Sequence, residues 1–377
     1  AQAFVQLAEM VEVGGTGGRG SGFEQAGGAA QQGRGAAGVA GVLQVVAAQI
    51  HGLAHQQRVA ELPGQVLGGH RVAHHTGRVE GFDEGFGHPQ QQRHAGWALG
   101  RAQQRTQAVG RGRQRAGRGC HPNFFVTSYQ NDQVHEVLGA YAQRRNMRKV
   151  FLLTPNYQAG RDAMAGFKRH FRGEIADEVY VPLNHLDFSA ELARIGSSGA
   201  DGLFTFMPGG MGVNLVRQYG QAGLTQRVPF LSAFTVDEST LPAQQDAALG
   251  MIAGMTWAPN MDNPQNKAFV AEYEAAFGHV PGSYAMQAYD AAMLIDSAVR
   301  AVNGNLTNRD AVRAALRKAD FTSLRGNFRF ANNHYPIQDF YTVRAVKRPD
   351  GRFQTEIVER IFENYTDVYA AQCQMRW

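Results

Sequence analysis

The chain has 377 residues, 44% apolar and 18% charged. That is the composition of a globular protein with room for two ordinary domains. Its formal net charge of +5 sits wholly in residues 1–120, which hold 12 Arg, no Lys and 7 acids; bulk charge therefore gives no ground for nucleic-acid binding. No run reaches the ~18 consecutive apolar residues of a transmembrane helix. The start lacks the basic region and apolar run of a signal peptide, which fits a mature secreted chain and a cytosolic one alike.

Residues 1–120 also hold 26 of the 45 glycines, 17 glutamines and 7 of the 13 histidines, with Ser21 as their one serine. Apart from Val42 to Ile50, little here could bury a face, and glycine at this density raises the entropic cost of ordering the backbone. Gly15, Gly17 and Gly20 fit a G-x-G-x-x-G string, but a Gly-rich text produces one by chance. His51/His55 and His70/His74 have i,i+4 spacing, yet no acid or Cys completes a metal set, so no metal is expected. Arg111, Arg113, Arg115 and Arg118 resemble an RNA-binding tail without the aromatic side chains on which bases stack. Arg without Lys, amid Gly, Ala, Gln and His, is what a GC-rich gene yields out of frame. We expect residues 1 to about 118 to be such text, with no nucleic-acid partner.

From residue 120 onward the pattern changes. Lys149–Thr154 is a short apolar run that predicts a strand, followed by a Pro155-Asn156 turn. Met164, Phe167, Lys168 and Phe171 then fall at helical spacing. Glu178–Leu183 predicts a second strand, Asp187 the N-cap of a helix carrying Leu192 and Ile195. Gly202–Met207 predicts a third strand, broken by Pro208-Gly209-Gly210. A helix through Val213, Leu215, Val216 and Tyr219 follows, and Pro229–Phe234 is a fourth strand. Four βα units with apolar strands predict a parallel sheet covered on both faces. Ligands of such sheets bind beyond the carboxyl ends of the strands, which points to Asn156–Tyr157, Pro208–Met211 and Phe234–Thr235. Helices are expected at roughly 264–277, 283–302 and 308–319. Strands at Gln338–Val346 and Thr355–Glu363, with a turn at Pro349-Asp350-Gly351, come last.

A search for catalysis finds no G-x-S-x-G, Walker or H-E-x-x-H string, and an enzyme is not expected. Asp237-Glu238 read as turn and cap residues before Ser239-Thr240 rather than as a dyad. His185, His279 and His334 stand singly and read as surface or packing residues. The two cysteines, Cys120 and Cys373, leave open a disulfide closing a very long loop and a pair of buried thiols.

Several strings are familiar. Cys120-His-Pro-Asn-Phe-Phe-Val-Thr-Ser, Asn156-Tyr-Gln-Ala-Gly, Asn263-Pro-Gln-Asn-Lys-Ala-Phe, Tyr284-Ala-Met-Gln-Ala-Tyr-Asp-Ala and Tyr335-Pro-Ile-Gln-Asp-Phe-Tyr run in order. Together they resemble the type I periplasmic solute-binding proteins of ABC importers, in the group that binds branched-chain amino acids and aromatic acids. The likeness covers about 120–377. The 119 residues ahead of Cys120 match the length that the family carries there but not its ligand-holding residues.

The resemblance implies an α/β fold of two lobes, each a parallel sheet flanked by helices, with three hinge crossings near 126–131, 250–258 and 328–337. Lobe one would be 1–130 plus 255–332, lobe two 131–254 plus 333–377. Ligand would bind in the cleft and favour the closed state, which a membrane permease of the importer recognises. The protein would be periplasmic and monomeric, without cofactor. Carried over residue by residue, the family pocket implies Tyr157, Phe234 and Thr235, with Met211, Asn131 and Tyr129, from the second lobe and first crossing. Trp257, Tyr284 and Gln287 would join them. Amino-acid binders of the family place an acid after the fourth strand to pair the ligand ammonium, where this chain has Phe234; Asn131 stands where another acid is expected. An unpaired ammonium is costly to bury, so an aromatic acid of benzoate or hydroxycinnamate type is the expected ligand, with a branched-chain amino acid as the alternative. The same fold also serves as the sensing domain of receptors. The resemblance further implies a Cys120–Cys373 disulfide.

Overall fold

The computed structural model describes residues 112–376. The Gly-rich string, the paired histidines and Arg111 lie outside the described residues. The chain runs α1 (Gly112–Ala116), α2 (Gln133–Arg144), β1 (Lys149–Pro155), α3 (Gln158–His170), β2 (Glu174–Val181), α4 (Ser189–Ser197), β3 (Gly202–Thr205), α5 (Gly210–Gln221) and β4 (Phe230–Ser232). It continues with α6 (Leu241–Gln244), β5 (Ile252–Met255), α7 (Pro264–Phe277), α8 (Ser283–Ala301), α9 (Arg309–Lys318), β6 (Arg329–Phe330), β7 (Pro336–Lys347) and β8 (Phe353–Tyr365).

The strands form one sheet in the order β2-β1-β3-β4-β5-β7-β6, with β8 paired to β7. β2 through β5 pair in parallel, and β7 joins β5 antiparallel. Alternation along the strands divides the core into two layers. Phe151, Leu153, Leu203 and Phe230 face Ile195, Leu215 and Tyr219 of α4 and α5. Val150, Leu152, Phe204 and Leu231 face Leu138, Met164 and Phe167 of α2 and α3. Both faces are covered, which is why these strands read as continuous apolar runs. Two glycines permit the close approach of α2: a Cβ on Gly139 would stand 2.1 Å from the Phe167 carbonyl oxygen, and one on Gly254 2.3 Å from that of Val134.

Segment 126–131 lies against the one near 328–337. Val126 N donates to the His334 carbonyl at 3.1 Å, and the Phe125 and His334 rings stack at 4.0 Å. Residues 252–255, inside the expected crossing 250–258, form β5 within the sheet, so the chain leaves the sheet only after Met255. The Cys120–Cys373 disulfide is present and closes a separation of 253 residues. Beside it, Arg113 pairs with Asp132 at 3.2 Å and Asp162 at 3.1 Å. No helix among the described residues is long and apolar enough to cross a membrane.

Candidate functional site

The carboxyl ends of β1, β3 and β4 deliver Tyr157, Phe206 and Phe234 to one place. Tyr157 precedes α3, and its ring stacks on Phe206 at 6.1 Å and 21°. Phe206 meets Phe234 edge to face at 6.0 Å. Phe234 then faces Tyr129 at 5.8 Å and, nearly parallel, Tyr284 of α8 at 6.3 Å and 18°. These spacings are those of favourable aromatic pairs. Phe234 has φ +56°, a left-handed backbone that a bulky residue adopts only when its surroundings enforce it.

Thr235 supplies that enforcement. Its hydroxyl accepts from Met207 N at 2.8 Å, tying the loop after β4 to the loop after β3. Its carbonyl accepts from Gln244 Nε2 at 2.6 Å. Thr235 thus positions Phe234, and its own side chain is spent inside the protein. Asp237 acts as a turn residue, accepting from Ser239 N at 2.9 Å and Ser239 Oγ at 2.5 Å. Glu238 is buried and accepts from Thr355 N at 2.8 Å and Thr355 Oγ1 at 2.6 Å. Burial pushes its carboxyl up to about 7 against those bonds.

Gln287 lies one helical turn from Tyr284, with its side chain near the Tyr129 hydroxyl. Burial, with the neighbouring Tyr284, raises the Tyr129 phenol well above its ordinary range. The Gln287 Nε2 donor is buried with no partner among the described residues. Tyr284 remains 44% exposed; burial pushes its hydroxyl up to about 12, with Asp237 and Tyr157 adding to the shift. The site is therefore aromatic on several sides, holds an unsatisfied amide donor, and has no acid at Phe234.

Of the expected contacts, Tyr129, Tyr157, Phe234, Tyr284 and Gln287 come together, with Thr235 directly behind them. Trp257 stands apart. It packs edge to face on Phe269 at 6.3 Å, and its indole N–H donates to Asn266 Oδ1 at 2.7 Å. Met211 is buried on the opposite face of the sheet with Met207, Leu215 and Val236, because α5 begins at Gly210 and turns it inward. Asn131 is engaged with Asp162. Phe206 was not singled out by the sequence, although the Gly202–Met207 run contains it. An open hollow of about 510 Å³, lined by Gln143, Arg148 and Arg172 among others, sits at the opposite end of β1, away from the strand ends where such sheets bind ligands. Among the described residues no group of His, Cys, Asp and Glu could hold a metal.

Residues 101–351 match the family model described as "Periplasmic binding protein". The match begins inside the compositionally distinct first stretch. Leu/Ile/Val-binding protein homolog 6 of Brucella melitensis biotype 1 is 29% identical over 258 residues, 65% of each chain; the chain thus spans less than two thirds of the length of that relative. A solute-binding protein of an ABC transporter from R. palustris, solved in complex with benzoate, superposes with a TM-score of 0.63 at 29% identity, covering 69% of this chain and 71% of that one. A second R. palustris solute-binding protein, in complex with 4-hydroxybenzoate, has a TM-score of 0.58 at 28% identity, covering 63% and 67%.

Proposed function

The chain belongs to the periplasmic binding protein family, and from that premise we propose that it is the extracytoplasmic solute-binding protein of an ABC importer, capturing a small aromatic carboxylate. The observation that carries this reading is the aromatic cluster Tyr129–Phe234–Tyr284, with Tyr157 and Phe206 behind it and the unsatisfied Gln287 amide beside it. An aromatic acid offers a flat apolar ring to the phenyl and phenol faces and a carboxylate that needs donors. It brings no ammonium, and Phe234 stands where a counter-charge would be needed. The benzoate and 4-hydroxybenzoate complexes of similar proteins support the same ligand class.

Residues 131–254 plus 333–377 form lobe two in this reading, and 1–130 plus 255–332 lobe one. Tyr157, Phe206 and Phe234 hold the ligand from lobe two; Tyr284 and Gln287 close on it from lobe one. Contact with both lobes is what makes binding favour the closed form. That form is delivered to the importer's permease, and no bond of the ligand is changed.

A second reading, a branched-chain amino-acid binder, is favoured by one observation: Asp237 lies close enough to influence the hydroxyls of Tyr129 and Tyr284. Its carboxylate is already engaged by Ser239, which leaves it a poor partner for an ammonium. A thermal-shift screen of benzoate, hydroxybenzoates, cinnamates, leucine and valine tests the choice. A ligand at a hundred times its Kd stabilises by about 2.7 kcal/mol, a shift easily read. Stabilisation by leucine or valine alone would overturn the aromatic assignment.

A further inference from the structure

We propose that His135 discriminates among aromatic carboxylates by taking the ring hydroxyl of a phenolic acid, an inference that rests on the aromatic-acid reading above. His135 is the third residue of α2 and fully buried. Its ring stands edge to face with Phe206 at 5.4 Å, Phe204 at 5.9 Å and Phe234 at 6.3 Å. Phe234 is the ring common to both sets, equally near Tyr284 and His135. Neither imidazole nitrogen has a hydrogen-bond partner among the described residues. A buried polar group left unpaired is costly, and here it adjoins the rings that line the cluster.

The chemistry of the group selects its partner. Burial holds the imidazole neutral, depressing its pKa to about 3 against a pull from Asp132. A neutral imidazole offers one donor and one acceptor. A phenol hydroxyl both donates and accepts, so it pairs with whichever ring nitrogen faces it, giving to a lone pair or taking from an N–H. A carboxylate only accepts; it would meet a lone pair at one nitrogen and find no positive charge. The ligand carboxylate therefore belongs at the Gln287 end, where an amide donor is unsatisfied, and the hydroxyl at the His135 end. A hydroxyl-free ring leaves His135 as costly as before.

Calorimetric titration of the full chain with benzoate, 3-hydroxybenzoate, 4-hydroxybenzoate and leucine tests this. At least one hydroxylated acid should bind roughly tenfold or more tighter than benzoate, the scale of satisfying a buried unpaired group. In His135→Phe that ratio should fall to near one; in His135→Gln, which keeps a donor and an acceptor, part of it should remain. Equal binding of all three acids by the wild type, or an undiminished ratio in His135→Phe, overturns the role of His135 while leaving the aromatic reading intact. Binding of leucine with no aromatic acid overturns both. Should the variants fail to fold, nitrogen NMR of the His135 imidazole in the wild type decides. Hydroxybenzoate should move the ring-nitrogen shifts and benzoate should not; identical responses contradict the proposal.

Discussion

Arg325 donates from Nη2 to Asp290 Oδ2 at 2.9 Å with both side chains buried. The same guanidinium reaches the Thr127 carbonyl at 2.6 Å and Gln338 Oε1 at 2.5 Å. It thereby joins α8 to the first crossing and to β7. Removing one partner of such a pair strands the other charge, a loss of about 3–5 kcal/mol. Asp290→Asn should lower the denaturant midpoint accordingly. A double replacement, Asp290→Leu with Arg325→Met, should recover a large part of the loss. Equal destabilisation by single and double variants would show that the pair itself is not what matters.

Phe234 makes two separable predictions. Phe234→Ala removes the ring shared by Tyr129, Phe206 and Tyr284 and should weaken aromatic-acid binding roughly tenfold or more. Phe234→Gly should lose the ligand equally but be more stable than Phe234→Ala by about 1 kcal/mol, since glycine carries no penalty at positive φ. Calorimetry and thermal melts on the two variants check both.

Glu238 gives a pH dependence. Its carboxyl is raised to about 7 in the folded chain from an ordinary 4.5. A raised acid contributes stability that is present below the lower value and lost as pH rises through the upper one. Glu238→Gln keeps an acceptor for Thr355 and cannot ionise. Its stability relative to wild type should therefore increase between pH 5 and pH 8, by roughly 1–3 kcal/mol. His135, depressed to about 3, works the other way below its ordinary range and is common to both proteins, so it cancels in the difference. A flat difference across that range would contradict the burial of a neutral Glu238.

The Cys120–Cys373 bond closes a 253-residue separation. Thiol titration of the denatured, unreduced chain should find no free thiol. Replacing both cysteines with serine should cost about 2–4 kcal/mol by chemical denaturation; two titratable thiols would remove the bond from the account.

The strands were legible where burial on both faces leaves an apolar run, as at Lys149–Pro155 and Phe230–Ser232. β5 escaped because Ile252–Met255 has Gly254 in its interior and falls within the segment 250–258 that the family resemblance assigns to a crossing. α2 carries Val134, Leu138 and Tyr141 at helical spacing, yet lies between a crossing and a strand, with no sequence signal that sets it apart from the linking segment. The candidate site was legible at strand ends, where Tyr157 and Phe234 fall by topology. Trp257 illustrates the limit: an aromatic residue after a strand reads alike whether it faces a cleft or, as here, Phe269 and Asn266. His135 gave no signal of its own because a histidine on a helix face becomes unusual only once three phenyl rings are found against it and neither ring nitrogen is paired.

The most direct test of the central claim is side-by-side equilibrium titration of the purified full chain with benzoate, 4-hydroxybenzoate, leucine and valine. Capture of an aromatic carboxylate predicts saturable one-site binding of at least one aromatic acid and none of the aliphatic amino acids at the same concentrations. Binding of leucine or valine without any aromatic acid would contradict it.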